Sequence, residues 1–220
     1  MSPTSSPITH LLYLHGFRSS PLSMKATKVG QRVQSEHPEV VWWCPQLPPS
    51  PKEAMASLMD GTKAWPRQST AVVGSSLGGF YARWFALQTS CRAALLNPAV
   101  FPARDLARHI GEQTTWQNPE ERFFFQPGYI DELKTLEADI HRLAPMQSTA
   151  TLNAMQFALI AKGDEVLNWR EMLVFSAGGA IRLIEGSDHA ISDFDDHIDT
   201  LFAFLNLLRP GHSQTVTSAE

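Results

Sequence analysis

The sequence predicts an α/β fold in which a doubly wound, mostly parallel sheet carries helices on both faces. Short apolar segments of strand length alternate with amphipathic segments of helix length through most of the 220 residues. A glycine-rich turn, Gly74-Ser75-Ser76-Leu77-Gly78, joins one of those strands to one of those helices. An acidic residue and a histidine follow two later strands. Such positions lie together at the carboxyl edge of a parallel sheet, where we expect the functional site.

The first half of the chain contains the alternation in its plainest form. The pattern Ser50-Pro51-Lys52-Glu53 is a capping box with proline at the first helical position, and it favours a helix start there. We predict buried strands over 8–14, 40–44, 71–73 and 93–96, and helices over 23–36, from 51 and from 77. Strands separated by helices pair in parallel, which gives the doubly wound arrangement.

The alternation is interrupted between residues 99 and 150. Residues 105–111 suggest a short helix, 114–128 show no clean period, and 129–143 are again helical. Long irregular segments inside compact domains are commonly lids or binding loops, so we predict a small lid-like insertion. The sheet then resumes with strands over 157–161 and 181–184, separated by a helix over about 168–176 and followed by a final helix. We expect one domain over 1–220, flexible at 1–7 and 211–220.

Composition excludes several classes of function. A net charge of −4 without any long basic block argues against a nucleic-acid partner. Apolar runs fall short of the roughly 20 residues that a membrane span needs. Cys44 and Cys91 are too few for a disulfide framework, and we interpret them as buried free thiols in a reducing compartment. Without a signal peptide at the start, a cytoplasmic location is predicted. The sequence has no metal-ligand spacing and no phosphate-binding or dinucleotide-binding glycine motif, so no metal or cofactor is expected.

The turn at residues 74–78 fits the G-x-S-x-G pattern of a nucleophile elbow. Such a turn is so sharp that Ser76 must adopt a strained backbone conformation, and its neighbours at 74 and 78 must be glycine. Ser76 would stand at the N-terminus of a helix, where backbone amides and the helix dipole favour developing negative charge. This pattern predicts a nucleophilic serine.

A serine hydroxyl needs a base, and the base needs an acid that orients it. His189 follows the predicted strand at 181–184, and Asp164 follows the strand at 157–161. His15 is the rival base, because it also follows a strand. Glu165, Asp188 and Asp193 compete with Asp164 for the role of the acid, although Asp188 adjoins His189 and its side chain should point away.

The oxyanion of an acyl-transfer intermediate needs backbone donors. The amide of Leu77 follows the nucleophile, and the amide of Phe17 lies in the loop after the first strand, so these two are the predicted donors. Residues at the mouth or in the insertion could line a substrate site, although ordinary turn and packing roles are equally open: Ser19, Phe123, Phe124, Phe125 and Tyr129.

Several segments together resemble the α/β-hydrolase superfamily and, more closely, the YqiA-type bacterial esterases. They are 13–21, 74–80, 96–100, 163–167 and 187–189, and the resemblance extends from about residue 10 to 208. It implies a cytoplasmic serine esterase or thioesterase with Ser76, Asp164 and His189 as its triad, acting on a small acyl substrate through an acyl-enzyme. Peptide or C–C bond cleavage by the same triad is one alternative, and a non-catalytic binding module is another.

Overall fold

The computed structural model describes residues 7–208. Its strands are β1 (His10–Leu14), β2 (Val41–Trp43), β3 (Thr70–Ser75), β4 (Arg92–Leu96), β5 (Gly111–Thr114), β6 (Arg122–Phe125), β7 (Gln156–Ala161) and β8 (Ala180–Ile184). Six of them form one sheet in the order β2-β1-β3-β4-β7-β8, and all five strand pairings in this sheet are parallel. The helices are α1 (Met24–Glu36), α2 (Pro51–Gly61), α3 (Leu77–Thr89), α4 (Pro102–Leu106), α5 (Gly128–Leu143), α6 (Thr149–Met155), α7 (Trp169–Phe175) and α8 (Ile198–Phe204).

The core lies on both faces of this sheet, because successive strand residues point to opposite sides. One face of β1 directs Leu12 and Leu14 toward a cluster that includes buried residues of α2, α3 and α5. The other face directs Leu11 and Tyr13 toward buried residues of α1 and α8. The strands at the centre are buried along their whole length, as continuous apolar runs predict. The predicted doubly wound parallel architecture is confirmed.

The prediction of a buried second strand is wrong. β2 lies at the edge of the sheet with β1 as its single neighbour, and Val41 is 48% exposed. An apolar run looks the same in a central strand and in an edge strand covered on one side, so the pattern alone overestimated burial. Cys44, which follows β2, is a half-buried free thiol, whereas Cys91 is a buried one. Of the ends predicted to be flexible, only residue 7 lies among the described residues.

The insertion at 99–150 has more regular structure than its sequence suggests. Its first helix begins at Pro102 rather than at 105 and continues as a 3-10 turn over Ala107–His109, so the predicted helix at 105–111 is displaced. β5 and β6, which were not predicted, pair as an antiparallel hairpin.

α5 connects the insertion to the main core. Its residues Leu133, Leu136 and Ile140 are buried, and the Glu132 carboxylate accepts hydrogen bonds from the Ser50 hydroxyl (2.7 Å) and the Lys52 amide (3.0 Å) at the start of α2. The lid-like role of the insertion at 99–150 stays a prediction.

None of the helices found between residues 7 and 208 is long and apolar enough to cross a membrane.

Candidate active site

The nucleophile elbow forms between β3 and α3. Ser76 has φ 56° and ψ −121°, in the left-handed half of backbone space where a non-glycine residue is strained by about 1–3 kcal/mol. A Cβ on Gly74 would lie 2.0 Å from the Gly78 carbonyl oxygen, and a Cβ on Gly78 would lie 2.0 Å from the Leu14 carbonyl oxygen. Glycine is therefore required on both sides of Ser76, and the serine sits directly before a 13-residue helix.

Asp164 and His189 lie on loops after β7 and β8, next to the elbow. His189 Nε2 is 3.1 Å from Ser76 Oγ, and His189 Nδ1 is 2.8 Å from Asp164 Oδ2. The two loops approach closely because Gly163 has no side chain: a Cβ there would lie 2.2 Å from the Ser187 carbonyl oxygen. The structure thus brings the three predicted side chains into one hydrogen-bonded row.

The Asp164 carboxylate is fixed by the backbone. Its side chain is fully buried, and its Oδ1 accepts from the amides of Val166 (2.8 Å) and Leu167 (2.7 Å), while Oδ2 faces His189. Since a carboxylate only accepts, the His189 imidazole carries its proton on Nδ1 and leaves Nε2 free to accept from the Ser76 hydroxyl. This arrangement can remove the proton from Ser76 and stabilise the resulting imidazolium.

The rival acids have other partners. Glu165 accepts from the His189 backbone amide (3.0 Å) and not from its ring. A hydrogen bond from the Ser192 hydroxyl lowers the pKa of Asp188, and the Ser187 hydroxyl similarly lowers the pKa of Asp193.

The rival base, His15, supports the loop that follows β1. Its Nε2 accepts from the Leu47 amide (3.1 Å), which places its proton on Nδ1, and Nδ1 donates to the Gly16 carbonyl oxygen (3.0 Å). Burial lowers the pKa of His15, so the neutral form that makes both bonds is favoured. Its two ring nitrogens therefore bind the backbone and not Ser76.

The two residues whose amides are the predicted oxyanion donors, Phe17 and Leu77, line the same cavity as Ser76. A Cβ on Gly16 would lie 3.2 Å from Ser76 Cβ, which shows how closely the loop carrying Phe17 approaches the serine. Among the described residues we find no hydrogen bond from the amide of Phe17 or Leu77. Both amides thus have an unused donor close to the elbow.

Two residues to which the sequence analysis assigned no role position the His189 loop. The Asn97 side chain donates to the Asp188 and His189 carbonyl oxygens (3.0 and 3.2 Å) and accepts from the Ala161 amide (2.8 Å). Lys25, on α1, donates through Nζ to the Ala190 carbonyl oxygen. Asn97 lies directly after β4 and in the segment 96–100 that contributes to the family resemblance, whereas nothing in the local sequence marks Lys25.

A cavity of about 230 Å³ opens above Ser76 and His189. Its charged wall residues are Arg18, Arg108 and Asp105, and Asp105 is paired with Arg104 at 2.8 Å. The Arg18 guanidinium donates to Thr114 and lies 4.1 Å from the ring centroid of Trp116, another wall residue. Arg18 therefore ties the predicted oxyanion loop to the insertion's hairpin.

A neighbouring cavity of about 290 Å³ includes Ser19 and Phe123, two of the predicted substrate-lining residues, in its wall. The other three line neither of these cavities. Along β6 the side chains alternate, so Phe124 points outward and is 58% exposed, whereas Phe125 is 1% exposed. Phe125 packs against Tyr129, with ring centroids 5.4 Å apart, so the structure shows a packing role for this pair.

No group of His, Cys, Asp or Glu side chains within residues 7–208 is arranged to hold a metal ion.

This chain matches one family model and is similar in structure to several solved proteins. The model of the family described as "Uncharacterised protein family (UPF0227)" matches residues 10–206. Est1E from Butyrivibrio proteoclasticus is similar in structure, with a TM-score of 0.61 and 12% identity over 93% of this chain and 91% of that one. The esterase domain of a Rhodothermus marinus protein has a TM-score of 0.60 and 15% identity, over 93% of this chain and 87% of that one. Alpha/beta hydrolase domain-containing protein 10 from mouse has a TM-score of 0.57 and 14% identity, over 87% of this chain and 90% of that one. At these identities the likeness shows the fold, and the predicted α/β-hydrolase fold is confirmed.

Proposed function

Because this chain belongs to the uncharacterised protein family UPF0227, the YqiA-type family that its motifs resemble, we propose that it is a serine hydrolase of carboxylic esters or acyl thioesters. The observation that carries the proposal is the hydrogen-bonded row from Ser76 Oγ to His189 Nε2 (3.1 Å) and from His189 Nδ1 to Asp164 Oδ2 (2.8 Å). A row of this kind activates a serine hydroxyl that would otherwise be a weak nucleophile.

In the proposed mechanism His189 Nε2 takes the proton of Ser76 as Oγ attacks the acyl carbonyl carbon. Asp164 stabilises the imidazolium, and the amides of Phe17 and Leu77 donate to the oxyanion. The bond from the acyl carbon to the leaving oxygen or sulfur then breaks, and His189 returns the proton to the leaving group. Water, deprotonated by the same histidine, attacks the acyl-enzyme and releases the carboxylic acid with Ser76 restored.

The structural neighbours and the cavity guide the choice of substrate. The Rhodothermus marinus domain is described as an esterase domain, which favours carboxylic ester hydrolysis for this chain. The cavity above Ser76 measures about 230 Å³. A water-sized group occupies about 30 Å³, so this volume accommodates a short acyl group such as butyryl. No cofactor is needed for this chemistry.

The proposal is tested by the kcat/KM of p-nitrophenyl butyrate and of a butyryl thioester. Ser76→Ala and His189→Ala should each lower kcat/KM by at least about 10⁴-fold, and Asp164→Asn by about 10⁴-fold, because triad members act as a unit. Ser35→Ala, which removes an exposed hydroxyl on α1, is the matched control and should leave turnover unchanged. Wild-type turnover by Ser76→Ala would refute the mechanism.

A substrate panel separates the alternatives. Cleavage of a peptide or a C–C bond, with both butyryl substrates untouched, would assign a different reaction to the same three residues. No turnover and no covalent labelling of Ser76 would instead favour a binding module.

A further inference from the structure

A larger cavity of about 530 Å³ lies among α3, α5, α7 and the segment just before α4, and neither Ser76 nor His189 contributes to its wall. Most of its wall is apolar and is formed by side chains such as Phe80, Val100, Ile140, Val174 and Phe175. Its volume is within the range of about 300–1,000 Å³ that is typical of ligand pockets. An apolar molecule of moderate size would fit, and the polar groups in the wall indicate which kind.

One charged side chain in this wall is buried. Arg83 of α3 is 6% exposed, and its Nη1 donates to Gln156 Oε1 (3.1 Å) and to the Phe175 carbonyl oxygen. Its Nε is buried without a hydrogen-bond partner. Among residues 7–208 no carboxylate forms an ion pair with it. Burial lowers the pKa of Arg83 to about 10, so the guanidinium remains charged at neutral pH.

The carboxylates in the same wall are already engaged. Glu171 pairs with both terminal nitrogens of Arg104, at 3.1 and 2.8 Å. Glu137 accepts a hydrogen bond from the Ala103 amide at 3.0 Å. Arg83 is therefore a buried cation held by two hydrogen bonds and by the Phe175 ring, whose centroid lies 4.5 Å from the guanidinium carbon, but no carboxylate in the described part of the chain neutralises its charge. Burying a charge is costly unless an opposite charge pairs with it.

We propose that this cavity binds a small amphipathic molecule whose carboxylate pairs with Arg83 and whose apolar tail fills the remaining space. A guanidinium matches a carboxylate in shape and donor geometry, and the Nε of Arg83 is a donor that no group between residues 7 and 208 uses. Arg83 lies seven residues beyond Ser76 along the chain, about 10 Å away at the α-helical rise. The site is thus separate from the elbow and does not depend on the proposed hydrolase activity.

Calorimetric titration of the full chain with decanoate tests the proposal, with 1-decanol as a probe that keeps the tail and lacks the charge. Decanoate should bind the wild-type protein, and Arg83→Met should weaken it at least tenfold while decanol binding changes less than twofold. Arg182→Met, a change at an exposed arginine outside this cavity, should leave decanoate binding unchanged. Ser76→Ala should bind decanoate like the wild type, which separates this site from the proposed catalytic one.

A second variant covers the case in which Arg83→Met fails to fold. Val174 is an exposed wall residue, so Val174→Glu should preserve the fold and weaken decanoate at least fivefold by charge repulsion. Absence of decanoate binding to the wild type would overturn the proposal. Equal decanoate binding by folded Arg83→Met would also overturn it, and so would equal binding by Val174→Glu where Arg83→Met does not fold.

Discussion

The buried amine of Lys25 should make the free energy of unfolding depend on pH in a way that can be measured. It is 8% exposed, and its Nζ donates to the carbonyl oxygen of Ala190, next to His189. Burial lowers its pKa from 10.5 to about 8, although Asp188 and Asp164 partly oppose the shift. Lys25→Met keeps the length and the apolar stem of the side chain and removes the titrating amine.

The sign of the expected pH dependence follows from proton binding. Between pH 8 and 10.5 the unfolded chain keeps a proton on Lys25 that the folded chain has released, so this group adds stability as the pH rises. From pH 7 to 9 its contribution to the free energy of unfolding should grow by about 1.4 kcal/mol, since one pKa unit corresponds to about 1.36 kcal/mol.

Urea unfolding at pH 7, 8 and 9 measures this contribution as a difference between proteins. Burial raises the pKa of Cys44 and Cys91 to about 12, so both thiols destabilise the fold as the pH rises above 9, but equally in every variant. The stability of the wild type relative to Lys25→Met should increase by about 1.4 kcal/mol from pH 7 to 9. Lys52→Met, a change at an exposed lysine, is the control. The difference in free energy of unfolding between the wild type and this variant should stay constant from pH 7 to 9.

The reasoning would be refuted if the difference in free energy of unfolding between the wild type and Lys25→Met did not change with pH. Such a result would show that the amine has the same pKa in the folded and unfolded chains.

Three further predictions concern the glycines at the elbow, the loop after β1 and the start of α2. Gly16→Ala places a Cβ 3.2 Å from Ser76 Cβ, and it should lower kcat/KM for p-nitrophenyl butyrate about 10–100-fold with little change in Tm. Gly74→Ala should instead lower Tm sharply, because its Cβ would lie 2.0 Å from the Gly78 carbonyl oxygen. His15→Phe leaves the half-buried amide of Leu47 unpaired and should cost about 1 kcal/mol in urea unfolding at pH 7. Because burial lowers the pKa of His15, wild-type stability should fall as the pH drops below 6.5, and the loss of stability from pH 7 to 5 should be smaller in the variant. Glu132→Gln removes a charge from the N-terminus of α2 and should cost about 0.3–1 kcal/mol by the same assay; no loss would show that this cap is unimportant.

The features that could be predicted from the sequence are those that local rules determine. The elbow around Ser76 requires particular residues at fixed spacing, and strand-to-helix alternation imposes a parallel sheet. The carboxyl ends of parallel strands meet at one edge, so Asp164 and His189 could be expected near Ser76 although 25 residues separate them from each other.

What the sequence did not reveal depends on contacts between distant segments. Lys25 and Ala190 are 165 residues apart, and no local pattern shows that α1 reaches the His189 loop. The edge position of β2 is set by strand order, which apolar runs do not encode. The hairpin of β5 and β6 was missed because its first strand, Gly111–Thr114, contains polar residues and the two strands are joined by seven residues without a tight-turn signal.

The measurement that tests the central claim most directly is covalent labelling of the native protein with a fluorophosphonate, followed by digestion and mass spectrometry. The proposed chemistry predicts one adduct, on Ser76, that is lost in Ser76→Ala and in urea-unfolded protein and forms far more slowly in His189→Ala. No adduct on Ser76 in the native protein, or labelling at the same rate without His189, would contradict the role proposed for this serine.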